Sequence, residues 1–223
     1  MTTLQKTLTA IFIHHLLVLF GIFYYGFSWQ VFGIILLMCI INNIIMNGLF
    51  MHLHISHGKY KDNLLNMVGT IIWLLTGQTS SPLGFSYVHR VHHAHYDTEK
   101  DPHSPAHIGA FRVWFLLWNI SEDINPRHIK DFAKSKFQLF LHKHWLRLHV
   151  LVVASLLLLN PLVVLFIVSP IVVSTFIFSG LGNVRGHAYG EPRDIPEIIL
   201  WQPVSWRHKH HHSFDRINDK GVN

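Results

Sequence analysis

Charge is scarce in this chain of 223 residues: Asp, Glu, Lys and Arg make up 13% of it, against 50% for hydrophobic residues. A surface in water ordinarily carries about twice that share of charge. A soluble cytosolic domain is therefore disfavoured and a disordered chain excluded. Cysteine is scarcer still. Cys39 stands alone inside an apolar run, which rules out a disulfide framework and a thiolate-rich metal site. A concentrated basic stripe is also missing: the net charge is +6, but the basic residues are scattered, so nucleic acid is not an expected partner. That charge suits anionic lipid headgroups or an acidic redox partner. Against these shortages stands one excess, 20 histidines, more than Lys and Arg together.

The apolar residues are gathered into runs of membrane-spanning length, about 20 residues for a helix. The expected fold class is an all-α membrane protein with four transmembrane helices in two hairpins. The spans are expected at about 8–27, 31–51, 145–159 and 162–181. Ser28, Trp29 and Gln30 form the first outer turn, and Asn160-Pro161 breaks the long C-terminal run, because proline cannot donate the helix hydrogen bond. A cleaved leader is disfavoured, since no small-residue cleavage site follows the first run and the next run comes at once. The 18 Lys and Arg residues fall at the N-terminus, between 59 and 147, and from 185 onward. Placing both termini in the cytoplasm puts all of them on one side, as the positive-inside rule asks. Segments 52–144 and 182–223 then form a helical cytosolic cap on one membrane domain spanning 1–223. Within it, Leu64–Leu75 and Val113–Ile120 are too short to cross and read as interfacial or buried helices.

Four polar clusters carry ligand-like spacings. His52 and His57 lie five apart in HLHISH, about 140° apart on an α-helix, which prevents chelation from one helix face unless the helix ends between them and leaves open that they serve different metals. His89, His92 and His93 in HRVHH sit at i, i+3 and i+4, on one face. Asn183 and His187 lie four apart in NVRGH. His208, His211 and His212 in HKHHH repeat the triad spacing. Taken singly, the two pairs are ordinary interfacial or helix-end polar groups. In the expected topology all four clusters fall on the same membrane side, each near a helix end, and nine histidines with one asparagine exceed the roughly four ligands of one zinc. Two metals are implied. Imidazole suits iron, copper or zinc, and iron is favoured beside an apolar substrate because it activates dioxygen. Asp97, Glu99, Asp101, Glu122 and Asp123 are candidates to hold imidazole tautomers.

At these residues the sequence resembles the integral-membrane fatty acid desaturases, most closely the stearoyl-CoA (delta-9) branch. HLHISHGKYK is similar to that branch's first histidine box. HRVHHAHYDTEKDPHSP, residues 89–105, is similar to the second box with its D-T-x-x-D-P-H tail. Asn183 to His187 resembles the N-x-x-x-H element, and RHKHHH the third box. The resemblance covers about residues 31–213. It departs at Leu53, where arginine is usual, at Gly84-Phe85, and at Pro203-Val204-Ser205 before the last box, with Trp206 one residue further from His208 than expected.

The resemblance implies an oxidoreductase that spends dioxygen as co-substrate and two electrons on a cis double bond in a long acyl chain, carried as acyl-CoA or acyl-lipid, with the delta-9 position expected. It implies two iron ions held by His52, His57, His89, His92, His93, His187, His208, His211 and His212, with Asn183 acting through water. The chain is short for the family, so the electrons are expected from a separate donor, a ferredoxin or a b-type cytochrome. Asp97, Asp101, His95 and His103 are expected around the metals or the substrate, and Trp114 and Trp118 are weaker candidates for the acyl path. His54 and His210 alternate with the ligands and should face away. His14 and His15, inside the first span, read as structural hydrogen-bonding groups or as side chains that snorkel to the interface, and His142, His144 and His149 as interfacial ones. Two other classes compete. A membrane hydroxylase on a related scaffold would use the same metals, though the four-residue spacing of the first box and the D-T-x-x-D-P-H tail favour desaturation. A metal transporter would place its ligands along the spans instead of at one surface.

Overall fold

A computed structural model describes residues 2–76, 80–115, 117, 125–196 and 207–212. Among these the chain is helical, with no strand. Helix α1 covers Thr3–Tyr25, and α2 covers Trp29–Ser56, with π-helical hydrogen bonding from Asn42 onward. Helices α3, Leu64–Thr76, and α4, Pro82–His95, follow. Two short helices, α5 at Pro105–Ile108 and α6 at Ala110–Trp114, precede the single turn α7 at Lys130–Ala133. The long helices α8, Lys136–Leu159, and α9, Pro161–Gly186, come next, with one more helical turn at 208–212.

Local chemistry sets the ends of these helices. Thr2 and Gln5 form a reciprocal capping box at the start of α1, which satisfies two of the amide donors that a helix start leaves unpaired. Gly26 ends α1 at φ +79°, a backbone region open to glycine at little cost. Asn160 caps α9 through the Leu162 amide, and Pro161 takes the first helical position, where no amide hydrogen is needed. The break expected at Asn160-Pro161 is therefore present.

Three helices are long and apolar enough to cross a membrane: Leu4–Tyr25, Trp29–Ser56 and Pro161–Gly186. They contain the second and fourth expected spans and the first as far as Tyr25. The third lies in α8, whose first half carries Lys136, Lys143 and Arg147. That charge keeps it out of the fully apolar set. Of the two short apolar runs, the first is α3; Trp118 and Ile120 of the second lie outside the described residues.

Helix α9 packs on both α1 and α2. The outward faces are apolar: Phe12, Leu19, Phe23, Leu158 and Leu159 are all exposed, as a lipid-facing surface requires. Beneath the membrane-facing helices, Met51, Ile55, Trp73, Leu83, Tyr87, Val88 and Phe132 form a core that joins the end of α2 to α3, α4 and α7. This core fixes α2 and α4 side by side at the ends that carry histidines.

Candidate metal centre

The expected 140° between His52 and His57 does not occur. A π-helix closes its hydrogen bonds five residues back, so residues i and i+5 share a face. The His57 amide donates to the His52 carbonyl at 3.2 Å, and the two rings sit with centroids 5.0 Å apart. The two rings that looked unable to share one helix face come together because the helix is wound wider there. Asn66 accounts for the histidine between them: His54 Nε2 lies 2.9 Å from Asn66 Oδ1, so His54 faces away, as its alternation predicts.

Around this pair the triads converge. One ring nitrogen from each of His52, His57, His89, His93 and His211 lies within 4.8 Å of all the others, and the same holds for His92, His187 and His212. His208 joins the second group, its Nε2 2.9 Å from Nε2 of His187. All nine expected histidines are thus brought into two adjacent groups. The two groups meet through stacked rings, with His93 and His212 4.3 Å apart at 7°. Asn183 is half-buried one turn before His187, whose amide bonds its carbonyl.

Two carboxylates set tautomers. His92 Nδ1 lies 2.8 Å from Asp101 Oδ2, and His187 Nδ1 2.7 Å from Asp97 Oδ2. In each case the carboxylate accepts the Nδ1 proton and leaves Nε2 with its lone pair facing the group. Asp97 adopts φ +56°, unusual outside glycine, and its amide donates to Asp101 Oδ2. That turn is what the D-T-x-x-D segment builds. Among the other acidic candidates, Glu99 is exposed, while Glu122 and Asp123 lie outside the described residues. His103 is buried against the His92 ring at 4.1 Å, and its amide donates to Asp101. His95 turns to His128 instead.

The donor set fits a cation. Burial, then the charge of neighbouring imidazoles, holds His89, His92, His93, His208 and His212 below the ordinary histidine range. Burial likewise lowers His103 to about 4. The rings are therefore neutral at pH 7 and present lone pairs. Both nitrogens of buried His93, and Nδ1 of His212, have no hydrogen-bond partner. Buried polar atoms are nearly always bonded, and a metal ion held by these groups would supply the partner that these nitrogens lack.

Gly186 was not singled out by the sequence: a Cβ on it would come within 2.8 Å of the His208 ring, so a side chain there would push that ring from its place beside His187. Trp114 is 40% exposed at the end of α6 and lies against Gly180 of α9, where a Cβ would meet its carbonyl. Trp118, Trp206 and residues 203–205 lie outside the described residues. His149, expected at the interface, is instead buried beside His14, because its ring nitrogens are matched by partners from α1 and α3.

Curated relatives carry the same signature in name. An sn-1 stearoyl-lipid 9-desaturase of Anabaena variabilis is 28% identical over 147 residues, covering 61% of this chain and 51% of that protein. This chain is related to the lipid desaturases. A delta-9 desaturase-like protein of Arabidopsis thaliana is 26% identical, over 93% of this chain and 73% of its own length. An sn-1 stearoyl-lipid 9-desaturase of Synechocystis is 27% identical, over 88% and 66%. The similarity therefore lies on the delta-9 side, and the chain spans about half the length of the Anabaena desaturase. No family profile and no solved structure matches.

Proposed function

We propose that this desaturase relative is a single membrane domain, residues 1–223, that introduces a cis double bond, delta-9 in position, into a long acyl chain. The observation that carries the proposal is the pair of histidine groups drawn from four separate segments. His52, His57, His89, His93 and His211 would hold one iron. His92, His187, His208 and His212, with Asn183 through water, would hold the other. When bound, the irons supply the oxidising power of dioxygen, which takes two electrons from the C–H bonds and two from an external ferredoxin or b-type cytochrome, and leaves as water. Asp97 and Asp101 keep His187 and His92 oriented with lone pairs inward.

The membrane setting is part of the proposal. At about 1.5 Å per residue, the 24 residues of α8 reach about 36 Å. Its outer face is apolar at Val150, Leu151, Leu158 and Leu159 and basic at Lys136, Lys143 and Arg147, all exposed. A helix that crosses at 145–159 and rests its basic first turns among headgroups has this pattern. It would be the third of four spans, with both termini and the histidine groups on the cytoplasmic side. The acyl carrier is then a coenzyme A thioester or a membrane lipid, and the lipid-desaturase names of the relatives favour the lipid.

The test is expression in a host without unsaturated fatty acids, with a ferredoxin system supplied, and gas chromatography of fatty methyl esters. New monoenes that are absent from a His92→Ala control and present in His54→Ala are expected. Hydroxylated products would replace this reading with a hydroxylase.

A further inference from the structure

Arg90 stands between the ligands His89 and His92 in sequence, yet its side chain points away from both groups. Its guanidinium has five N–H donors in a rigid plane, and five acceptors lie within 2.9 Å of them, with the Ile55 carbonyl a sixth at 3.5 Å from Nη2. Nε donates to the Ser56 carbonyl at 2.7 Å. Nη1 donates to the His128 carbonyl at 2.8 Å and to Asp131 Oδ1 at 2.7 Å. Nη2 donates to the Gly58 carbonyl and to Asp131 Oδ2, both at 2.9 Å. The pair is sheltered, with side-chain exposures of 11% for Arg90 and 3% for Asp131. Phe132 lies under the guanidinium, 5.3 Å to its ring centre. Asp131 Oδ2 also accepts the Tyr60 amide at 2.7 Å.

The two carbonyls that Arg90 takes from the end of α2 belong to Ser56 and Gly58, the neighbours of His57. Arg90 is itself the neighbour of His89, and His57 and His89 bring their Nε2 atoms to 2.7 Å of each other. Helix ends leave carbonyls unpaired, and here a side chain from the adjoining helix takes them. We infer that Arg90, oriented by Asp131, is a positioning residue that fixes His57 against His89 and so sets the geometry of the five-histidine group. The inference rests on the metal-centre reading above. It reaches beyond that reading because neither Arg90 nor Asp131 belongs to the two histidine groups or to the carboxylates that orient them.

Lysine keeps the charge but has no planar fork, so Arg90→Lys removes the registration while leaving a cation beside Asp131. The probe is cobalt(II), titrated into detergent-solubilised, metal-free protein and followed by its visible absorption, with thermal melting in parallel. Wild type is expected to take two cobalt ions per chain. In Arg90→Lys and in Asp131→Asn, one cobalt should bind ten- to a hundred-fold more weakly with an altered band, the scale of loss seen when groups that orient ligands are removed. The other cobalt, on His92, His187, His208 and His212, should stay at wild-type affinity. Wild-type affinity and spectrum for both ions in both variants would overturn the inference. Equal weakening of both ions in step with a lowered melting temperature would overturn it too, as a merely structural role. Failure of the wild type to bind cobalt would contradict the metal-centre reading itself, a distinct result.

Discussion

Two sets of buried histidines meet in this protein, and they differ in what their nitrogens find. His14 in α1 and His149 in α8 form a closed chain: Ser169 Oγ lies 2.9 Å from His14 Nδ1, His14 Nε2 lies 2.6 Å from His149 Nε2, and His149 Nδ1 lies 3.0 Å from the Leu74 carbonyl. A carbonyl only accepts, so His149 Nδ1 carries the proton and its Nε2 accepts from His14, whose Nδ1 in turn accepts from the serine. Every nitrogen is satisfied with all groups neutral, and a chain that ends on a carbonyl cannot pass a proton on. Where the nine histidines gather, His93 has neither nitrogen bonded and His212 lacks a partner at Nδ1. Burial is the same in both places. Hydrogen-bond closure separates a clasp between helices from a place that could hold an ion.

Substitutions can break this comparison at either end. The largest effect is expected for His93→Ala, which should reduce desaturation to background and remove one metal of two, read by metal analysis of the purified protein. Asp101→Asn should come next. It leaves His92 in place but removes the charge that accepts its Nδ1 proton, so metal affinity should fall ten- to a hundred-fold in a competition with a chelator. His14→Phe should act on the other side of the comparison. Stranding the partners in a buried, apolar setting costs about 1–3 kcal/mol, so the thermal midpoint should drop while metal content stays at wild type. Loss of metal in His14→Phe would erase the distinction. The smallest effect is on acid stability. Burial raises the Asp131 carboxyl, but the hydrogen bonds and charge of Arg90 outweigh it and hold the group below its ordinary 3.8. A carboxylate lowered on folding contributes stability above its unfolded value and loses it as pH falls through the folded one. Below about pH 4, Asp131→Asn should therefore show a shallower acid loss of stability than wild type in pH-dependent melting.

Much of the site was legible because local spacing carries it. The i, i+3, i+4 triads and the D-T-x-x-D turn are short-range patterns; the nine expected histidines come together, though each triad divides between the two groups, and Asp97 and Asp101 stand beside His187 and His92 while His54 turns away. What escaped was of two kinds. Helix type was one: periodicity alone assumes about 100° per residue, and the π-helical winding after Asn42 changes which residues share a face. Long-range pairing was the other. Nothing near Arg90 in sequence announces Asp131, 41 positions away, and nothing near His149 announces His14, 135 positions away. The third apolar run shows the limit of composition. In α8 charge and apolarity share one helix, so length and hydropathy alone do not mark it as a crossing.

The central claim is that the unsatisfied histidine groups hold two irons, and elemental analysis of purified, active protein tests it most directly. Two irons per chain in wild type, one in His93→Ala and two in His14→Phe is the predicted pattern. Active protein carrying stoichiometric zinc and no iron would contradict it.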